Sequence, residues 1–339
     1  MNMMYLEKFI SDYREKTGFS GIVRVRQNDK LIFSGDYGLA SIEKNTPFDE
    51  KSMFSLYSMS KPFCAIGLMK LWDKGLLSLD DHPKKYISAM ANYHKDLTIR
   101  QMLWHIAGVP DFEQSGAFSD YCKDRLYEDL KKIGEMEQRK PGKYHFYANI
   151  NYIVPALIIE KLSGLQYKDY MRKEVFAPLN MTAVIDEVGV EIPNRVTGYE
   201  IRDDKIVAVD RATSYLLGAG DIVGTESDAL KLMYLVRDKL LLSEKAWAEI
   251  LKHNSVNGMG LGCNMTPWHS RPCITHNGGH TGFRTFHKYL FDEDLDIIIL
   301  SNSGWGNARP DISEAVYQSI FGEAEAETAL ELDKGYATK

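Results

Sequence analysis

A serine and a lysine three positions apart open the stretch SMSKPFCAIGLM, residues 58–69. Residues 62–69 carry no charge, and the first charged side chains appear only just before Gly75. A glycine at that point is a common helix C-cap, and a helix without a polar face is typical of one buried on nearly all sides. The pattern therefore predicts a buried helix whose start carries Ser58 and Lys61 on one face.

This pair has the chemistry of a nucleophile and its base. A serine hydroxyl is a poor nucleophile unless a neighbouring base takes its proton, and a lysine can do so when burial lowers its pKa. A second copy, Ser41-x-x-Lys44, falls in a predicted loop, where a base would be neither buried nor fixed. We therefore take Ser58 and Lys61 as the candidate catalytic pair. The alternative is an ordinary helix start, because about one Ser-x-x-Lys is expected by chance in such a chain.

Tyr147-Ala148-Asn149 is the one Tyr-x-Asn of the sequence, and an apolar helical stripe begins directly after it. Pro155 is tolerated only near a first turn, so this helix is expected to start near residues 149–151 and to end at Gly164. Side chains two positions apart in extended backbone point the same way, so a phenol could relay a proton while the amide holds a substrate. The alternative is a tyrosine that packs at a helix start.

The third candidate stretch is THNGGHTGF, residues 275–283, which lies between an extended segment and a strong strand. Glycines there allow a backbone edge to approach a substrate and to offer an N–H group to an oxyanion. The alternative is a glycine-rich hairpin turn. Zinc is not predicted, because Gly278 and Gly279 between His276 and His280 disfavour the helix that would bring the two imidazoles together.

Other common motifs are missing from the sequence. There is no GxSxG and no GxxxxGK[ST], and the run at 218–224 misses GxGxxG by one residue. Thr98 and Gln101 fit a capping box, and their helix is expected to stop at Gly108. Because the nucleotide-binding motifs are missing, no cofactor is predicted.

The composition is that of an ordinary globular protein. The 339 residues are 44% hydrophobic and 26% charged, with a formal net charge of −6, which provides no basic footprint for nucleic acid or anionic lipid. Residues 1–18 mix charged with apolar side chains, so no export signal is expected there; no segment is apolar for the length of a membrane span, and four cysteines are too few for a disulfide framework. We expect a cytoplasmic protein with a small-molecule substrate; the oligomeric state is left open.

Both ends of the chain have the pattern of strands, and the middle has that of helices. Strand-like runs at 22–26 and 31–33 flank one polar turn, and runs at 284–290 and 297–300 flank another. This order predicts one sheet assembled from both chain ends, with a helical insertion. The expected boundaries are 1–55 and 205–325 for the sheet domain, 56–204 for the mostly helical domain and 326–339 for a flexible tail.

Three motifs in this order resemble the signatures of the serine β-lactamase and penicillin-binding protein superfamily: Ser58-x-x-Lys61, Tyr147-x-Asn149 and His276-x-Gly278. The three motifs are most similar to those of the branch that holds class C β-lactamases, D-aminopeptidases and β-lactamase-like esterases. In that branch the third motif can read His-x-Gly. The segments TIRQMLWHIAGVP (98–110) and AGDIVGT (219–225) also resemble segments of that family. The resemblance covers roughly residues 21–302. It implies an α+β fold, in which an antiparallel sheet flanked by helices is built from both chain ends and an all-α domain is inserted.

The resemblance also implies roles for the candidate residues. Ser58 is the acylated nucleophile, and Lys61 with Tyr147 forms the proton-transfer pair, with the choice of general base left open. Asn149 orients the substrate amide or ester side chain. The backbone N–H groups of Ser58 and Gly279 form the oxyanion hole.

The third motif departs from the pattern of true class C lactamases. His276 replaces a lysine and would contact Tyr147 or a substrate carboxylate, so a fixed cation for that carboxylate is missing. A second His-x-Gly begins at His280, which is expected in the following turn, where it could shape the pocket. We predict a serine hydrolase acting on a small ester, amide or D-amino-acid substrate. The alternatives are a β-lactamase or penicillin-binding D,D-carboxypeptidase, and a non-catalytic relative that binds peptides or a partner protein.

Overall fold

The computed structural model describes residues 2–112, 123–209, 213–305 and 308–322. The chain forms two compact units. The sheet unit comprises Met1–Leu56, Pro193–Arg211 and Thr266–Lys339, and the helical unit comprises Tyr57–Ile192 and Ala212–Met265.

The secondary structure elements are numbered in chain order. The helices are α1 (Met3–Thr17), α2 (Ser60–Asp73), α3 (Ile99–Leu103), α4 (Lys123–Gly134), α5 (Ile150–Ser163), α6 (Tyr167–Met171), α7 (Glu226–Arg237), α8 (Glu244–Ile250) and α9 (Ala308–Phe321). The strands are β1 (Gly21–Gln27), β2 (Lys30–Tyr37), β3 (Phe54–Ser55), β4 (Val184–Ile185), β5 (Gly198–Arg202), β6 (Lys205–Val209), β7 (Ile222–Gly224), β8 (Cys273–His280), β9 (Phe283–Leu290) and β10 (Leu295–Ser301).

The sheet unit is built on five antiparallel strands in the order β2-β1-β10-β9-β8. The first hairpin turns at Asn28 and Asp29, whose φ angles of 51° and 60° are those of a tight type I′ turn. Since β1 and β2 come from the start of the chain and β8, β9 and β10 from its end, the predicted antiparallel sheet is confirmed.

Helices α1 and α9 belong to the core of the sheet unit. Leu6 and Ile10 of α1, Val316 of α9, and Ile297 and Ile299 of β10 have no exposed surface and join one hydrophobic cluster. Burial of each such side chain contributes about 1.5–3 kcal/mol. Alternating strand residues therefore hold the helices through the hydrophobic effect.

The division into units differs from the predicted boundary at 204/205. The hairpin of β5 and β6 belongs to the sheet unit, where Tyr199 N–H donates to Asn302 O (2.9 Å). Residues after Ala212 return to the helical unit, in which β7 pairs with β4. Local sequence patterns do not reveal this division, because the Tyr199–Asn302 hydrogen bond and the β4–β7 pairing join residues distant along the chain. The predicted tail, 326–339, lies outside the described residues.

Helices α2 and α5 form the centre of the helical unit. Every residue of α5 from Ile150 to Ile159 is buried, and α2 is buried nearly as fully. Gly67 of α2 permits this close packing, because a Cβ there would lie 3.4 Å from Ile159 Cδ1 and 3.0 Å from Met171 Sδ. Helix α5 begins and ends where the sequence predicts, with Gly164 as its left-handed C-cap. No helix in the described part of the chain combines the length and hydropathy needed to cross a membrane.

Helix α3 is shorter than predicted. Its capping box between Thr98 and Gln101 is present, but it ends at Leu103 and not at Gly108. His105 has a left-handed φ of 53°, and Ile106 N–H donates back to Gln101 O (2.9 Å) in a Schellman-type cap. A left-handed non-glycine residue costs about 1–2 kcal/mol, so the end of α3 is a strained position.

Candidate active site

Ser58 and Lys61 lie where α2 begins. Ser58 is in a 3₁₀ turn, Tyr57–Met59, that leads into α2, and Tyr57 has an unusual left-handed φ of 48°. Lys61 is in the first turn of α2 and has no exposed surface. Its Nζ is 2.9 Å from Ser58 Oγ. The junction therefore fixes the hydroxyl and the amine at hydrogen-bond distance.

Lys61 Nζ has two further acceptors. Asn149 Oδ1 lies 3.0 Å away and the main-chain oxygen of Ala219 lies 2.7 Å away. With Ser58 Oγ they give the Lys61 nitrogen three hydrogen-bonding neighbours. The amine is thus oriented from three sides, and Ala219 is a site residue that sequence reasoning did not select.

Tyr147 approaches the same hydroxyl from the solvent side. Its phenol O–H donates to Ser58 Oγ at 2.7 Å, and its side chain is 44% exposed. Lys61 Nζ lies 4.9 Å from the centroid of its ring. The structure therefore brings together Ser58, Lys61, Tyr147 and Asn149, all within the helical unit.

A buried carboxylate anchors the start of α5. Asp111 accepts hydrogen bonds from Asn149 N–H (2.8 Å) and Ile150 N–H (3.1 Å). These are donors that a helix N-terminus leaves without an intrahelical partner, and a negative charge is favoured there. The anchor fixes the backbone that carries Tyr147 and Asn149. An acid directly after Pro110 was the only sequence signal for it.

The loop that carries the Ala219 carbonyl is held by Asp221. This side chain is fully buried, and its Oδ2 accepts from Gly218 N–H at 2.9 Å. Burial raises the pKa of Asp221 to about 7. Gly218 has φ 69°, and a Cβ there would lie 2.9 Å from Cys64 Sγ, so glycine is required. Burial also raises the pKa of Cys64 to about 12, which keeps that thiol neutral.

The second Ser-x-x-Lys does not form a comparable pair. Ser41 Oγ is 3.3 Å from Glu43 Oε2, and it accepts from the backbone N–H of Lys44, also at 3.3 Å. Both residues lie in the turn between β2 and β3. This loop copy therefore offers no buried amine to its serine.

The third candidate stretch is part of β8 in the sheet unit. Gly278 faces the main-chain oxygen of Leu56, which accepts from Thr285 Oγ1 (2.9 Å); a Cβ on Gly278 would lie 2.1 Å from that oxygen. His276 is 7% exposed, and its Nδ1 is 2.8 Å from Asn277 O. The contact of His276, Gly278 and Gly279 with a substrate at Ser58 stays a prediction.

His280 is the last residue of β8, paired with Phe283, and not part of the following turn as expected. His276 and His280 thus lie on one strand, where residues four apart are separated by about 13 Å. That spacing is too long for both rings to bind one metal ion.

An antiparallel sheet from both chain ends, with a helical unit in which Ser-x-x-Lys and Tyr-x-Asn meet at one hydroxyl, is the architecture of the serine β-lactamase/transpeptidase fold. The sequence profile of the Beta-lactamase family matches residues 6–317. The chain belongs to that family, whose members are generally serine hydrolases.

Known relatives agree with this assignment. Penicillin-binding protein 4* of Bacillus subtilis (strain 168) is 25% identical over 325 residues, covering 88% of this chain and 71% of that protein. The octameric penicillin-binding protein homologue from Pyrococcus abyssi has a TM-score of 0.80 at 20% identity, over 94% of this chain and 77% of that one. The D-amino acid amidase from Ochrobactrum anthropi SV3 has a TM-score of 0.75 at 21% identity, over 97% and 98%. The two solved structures show the fold.

Proposed function

We propose that the protein is a serine hydrolase that forms an acyl-enzyme on Ser58 with a small ester, amide or D-amino-acid substrate. One observation carries the proposal: Ser58 Oγ lies 2.9 Å from Lys61 Nζ and 2.7 Å from the phenol oxygen, Oη, of Tyr147. Both distances are within the reach required of a general base. A structural serine needs neither a fully buried lysine nor a phenol beside it.

The proposed reaction has two steps. In the first, Ser58 Oγ attacks the substrate carbonyl carbon, and its proton passes to the Lys61–Tyr147 pair. The C–O or C–N bond then breaks, and that proton goes to the leaving alcohol or amine. In the second step, water attacks the ester carbon and gives its proton to the same pair; the acid departs and Ser58 Oγ is reprotonated. Gly279 and Ser58 N–H remain the predicted oxyanion donors.

Two features support the proposed substrate class. His276 occupies the place of the lysine in the third motif, and histidine is charged only in part near neutral pH, so a substrate carboxylate is held less firmly. One protein of similar fold is a D-amino acid amidase, which acts on an amide. We propose small esters, amides and D-aminoacyl amides as substrates. A cytoplasmic location stays a prediction.

A covalent probe tests the nucleophile. A fluorophosphonate should add one adduct mass to the wild-type protein and none to Ser58→Ala. Ser41→Ala, which removes the serine of the second Ser-x-x-Lys, is the matched control and should be labelled like the wild type. Labelling that persists in Ser58→Ala would end the assignment.

A substrate panel separates the proposed activity from the penicillin-related one. The similarity to a penicillin-binding protein favours β-lactam turnover or binding as the second candidate. We expect p-nitrophenyl esters and D-aminoacyl amides to be hydrolysed faster than a chromogenic cephalosporin. The reverse order would favour the lactamase or D,D-carboxypeptidase function. No turnover, with tight ligand binding that is unaffected by Lys61→Ala, would favour a non-catalytic binding protein.

A further inference from the structure

His105 occupies a position that normally belongs to glycine. It is the left-handed residue of the cap that ends α3, with φ 53°, and its side chain has no exposed surface. Glycine adopts this conformation without strain and is the usual residue at such a cap. A buried histidine there is explained only by contacts that its side chain makes.

Several contacts of His105 fall on the segment that carries Tyr147, and its ring also lies next to Asn151 and Tyr152 of α5. The His105 main-chain oxygen accepts from Phe146 N–H (2.7 Å), and its Nδ1 accepts from Ala148 N–H (3.4 Å). The imidazole stacks on the Tyr147 ring, with the centroids 4.3 Å apart and the planes 21° apart. His105 therefore contacts three consecutive residues, 146–148, of the segment that carries Tyr147.

The hydrogen bonds also fix the form of the ring. The backbone N–H of Ala148 is a donor, and Asn151 Nδ2 lies 3.1 Å from the same Nδ1. Nδ1 must therefore carry a lone pair, which defines the neutral imidazole with its proton on Nε2. A neutral ring stacks on Tyr147 without adding a positive charge next to Lys61, whose Nζ lies 4.9 Å from the same phenol ring.

We propose that His105 is a positioning residue for Tyr147: its ring and its Nδ1 hold the phenol so that the O–H stays on Ser58 Oγ. The 44% exposed Tyr147 side chain otherwise has room to turn towards solvent. Loss of the stack therefore misplaces the proton-transfer group while the substrate still binds. This inference rests on the proposed hydrolase function.

Two variants separate this role from a structural one. His105→Gly removes the whole side chain but relieves the left-handed backbone, and His105→Asn keeps an acceptor for Ala148 N–H at a φ that asparagine tolerates. We expect kcat for a p-nitrophenyl ester to fall by roughly 100-fold in His105→Gly, with KM changed less than about threefold and an unchanged or higher urea midpoint. The matched control is His145→Asn on the same segment, which should keep the wild-type kcat. An equal loss in the control, or a wild-type kcat in His105→Gly, would overturn the proposal.

A double-mutant cycle asks whether His105 acts through Tyr147. In a Tyr147→Phe background, His105→Asn should change kcat by less than about twofold, because the group that it positions has lost its hydroxyl. The same substitution in the wild type should lower kcat by several-fold or more. Equal effects in both backgrounds would show that His105 acts elsewhere.

A spectroscopic test does not depend on catalysis. In wild-type protein with labelled tyrosine, the Tyr147 ring signal, identified from its loss in Tyr147→Phe, should show nuclear Overhauser contacts to the His105 ring. It should also carry a ring-current shift that disappears in His105→Asn. Without these contacts the stack does not exist and the inference fails, even if the hydrolase activity is found. If the contacts are present but no ester is turned over and Ser58 is not labelled, the proposed function fails, and with it the catalytic part of this role.

Discussion

Replacing Asp221 with asparagine removes a carboxyl group that the fold keeps away from water. The side chain is fully buried, and burial raises the pKa of Asp221 from an ordinary 3.8 to about 7. The charge of Lys61 opposes this change and that of Asp186 adds to it, but desolvation is the largest cause. The substitution keeps the size and an acceptor for Gly218 N–H, so its main effect is on the charge.

The sign follows from where the proton is bound. Below about pH 4 the carboxyl is protonated in both the folded and the unfolded chain, and stability is highest with respect to this group. As the pH rises towards 7, the unfolded chain releases the proton first, so the free energy of unfolding falls by about 1.4 kcal/mol per pH unit. The full loss is on the order of 4 kcal/mol, and roughly 3 kcal/mol of it lies between about pH 5 and about pH 8.

Equilibrium urea unfolding of the wild type and Asp221→Asn across this range measures the effect. The difference in unfolding free energy, variant minus wild type, should rise by roughly 3 kcal/mol from the acid to the alkaline end. Asp204→Asn, the same change in the exposed β5–β6 turn, is the control and should follow the wild-type curve. Parallel curves for Asp221→Asn and the wild type would refute the reasoning.

Two further pairs of substitutions test contacts in the two units. Gly278→Ala should lower the free energy of unfolding by about 3 kcal/mol or more, because its Cβ would lie 2.1 Å from Leu56 O. Gly279→Ala is the control and should cost less than about 1 kcal/mol, because the atom nearest to its Cβ would be a flexible side-chain atom at 3.2 Å. Thermal unfolding distinguishes the two variants. Asp111→Ala should lower the free energy of unfolding by about 2–3 kcal/mol and lower kcat, because the start of α5 loses its anchor. Asp111→Asn keeps one acceptor and should cost about half as much. Equal urea midpoints for the wild type and Asp111→Ala would contradict the anchoring role.

Local patterns predicted much of the fold and the four residues that meet in the helical unit. The charge-free run after Lys61 distinguished its Ser-x-x-Lys from the loop copy at Ser41, because only a buried helix start can fix an amine beside a serine. The capping box at Thr98 and the end of α5 at Gly164 depend on residues within one or two turns. Such signals are short-range, so sequence reasoning finds them.

The parts that the sequence missed depend on distant contacts. The acceptor at Ala219 is a main-chain oxygen, which no residue type marks, and Asp111 acts on a helix that begins nearly forty positions later. The boundary between the units depends on β7, a three-residue strand that pairs with the two-residue strand β4. The early end of α3 depends on His105, whose left-handed backbone is stabilised by a segment beyond the helix.

The pairing of β1 with β10 has a consequence for how the chain folds during synthesis. Gly21 at the start lies opposite Ser301 near the end, so the centre of the sheet closes one of the longest loops in the molecule. Such a contact order slows folding, because the entropy of loop closure is lost before the strand pairs stabilise it. On the ribosome the segments of the helical unit emerge before β8, β9 and β10 are made, so that unit can fold co-translationally. The β1–β2 hairpin must meanwhile wait with one edge unpaired, which makes it the segment most exposed to aggregation in a nascent chain.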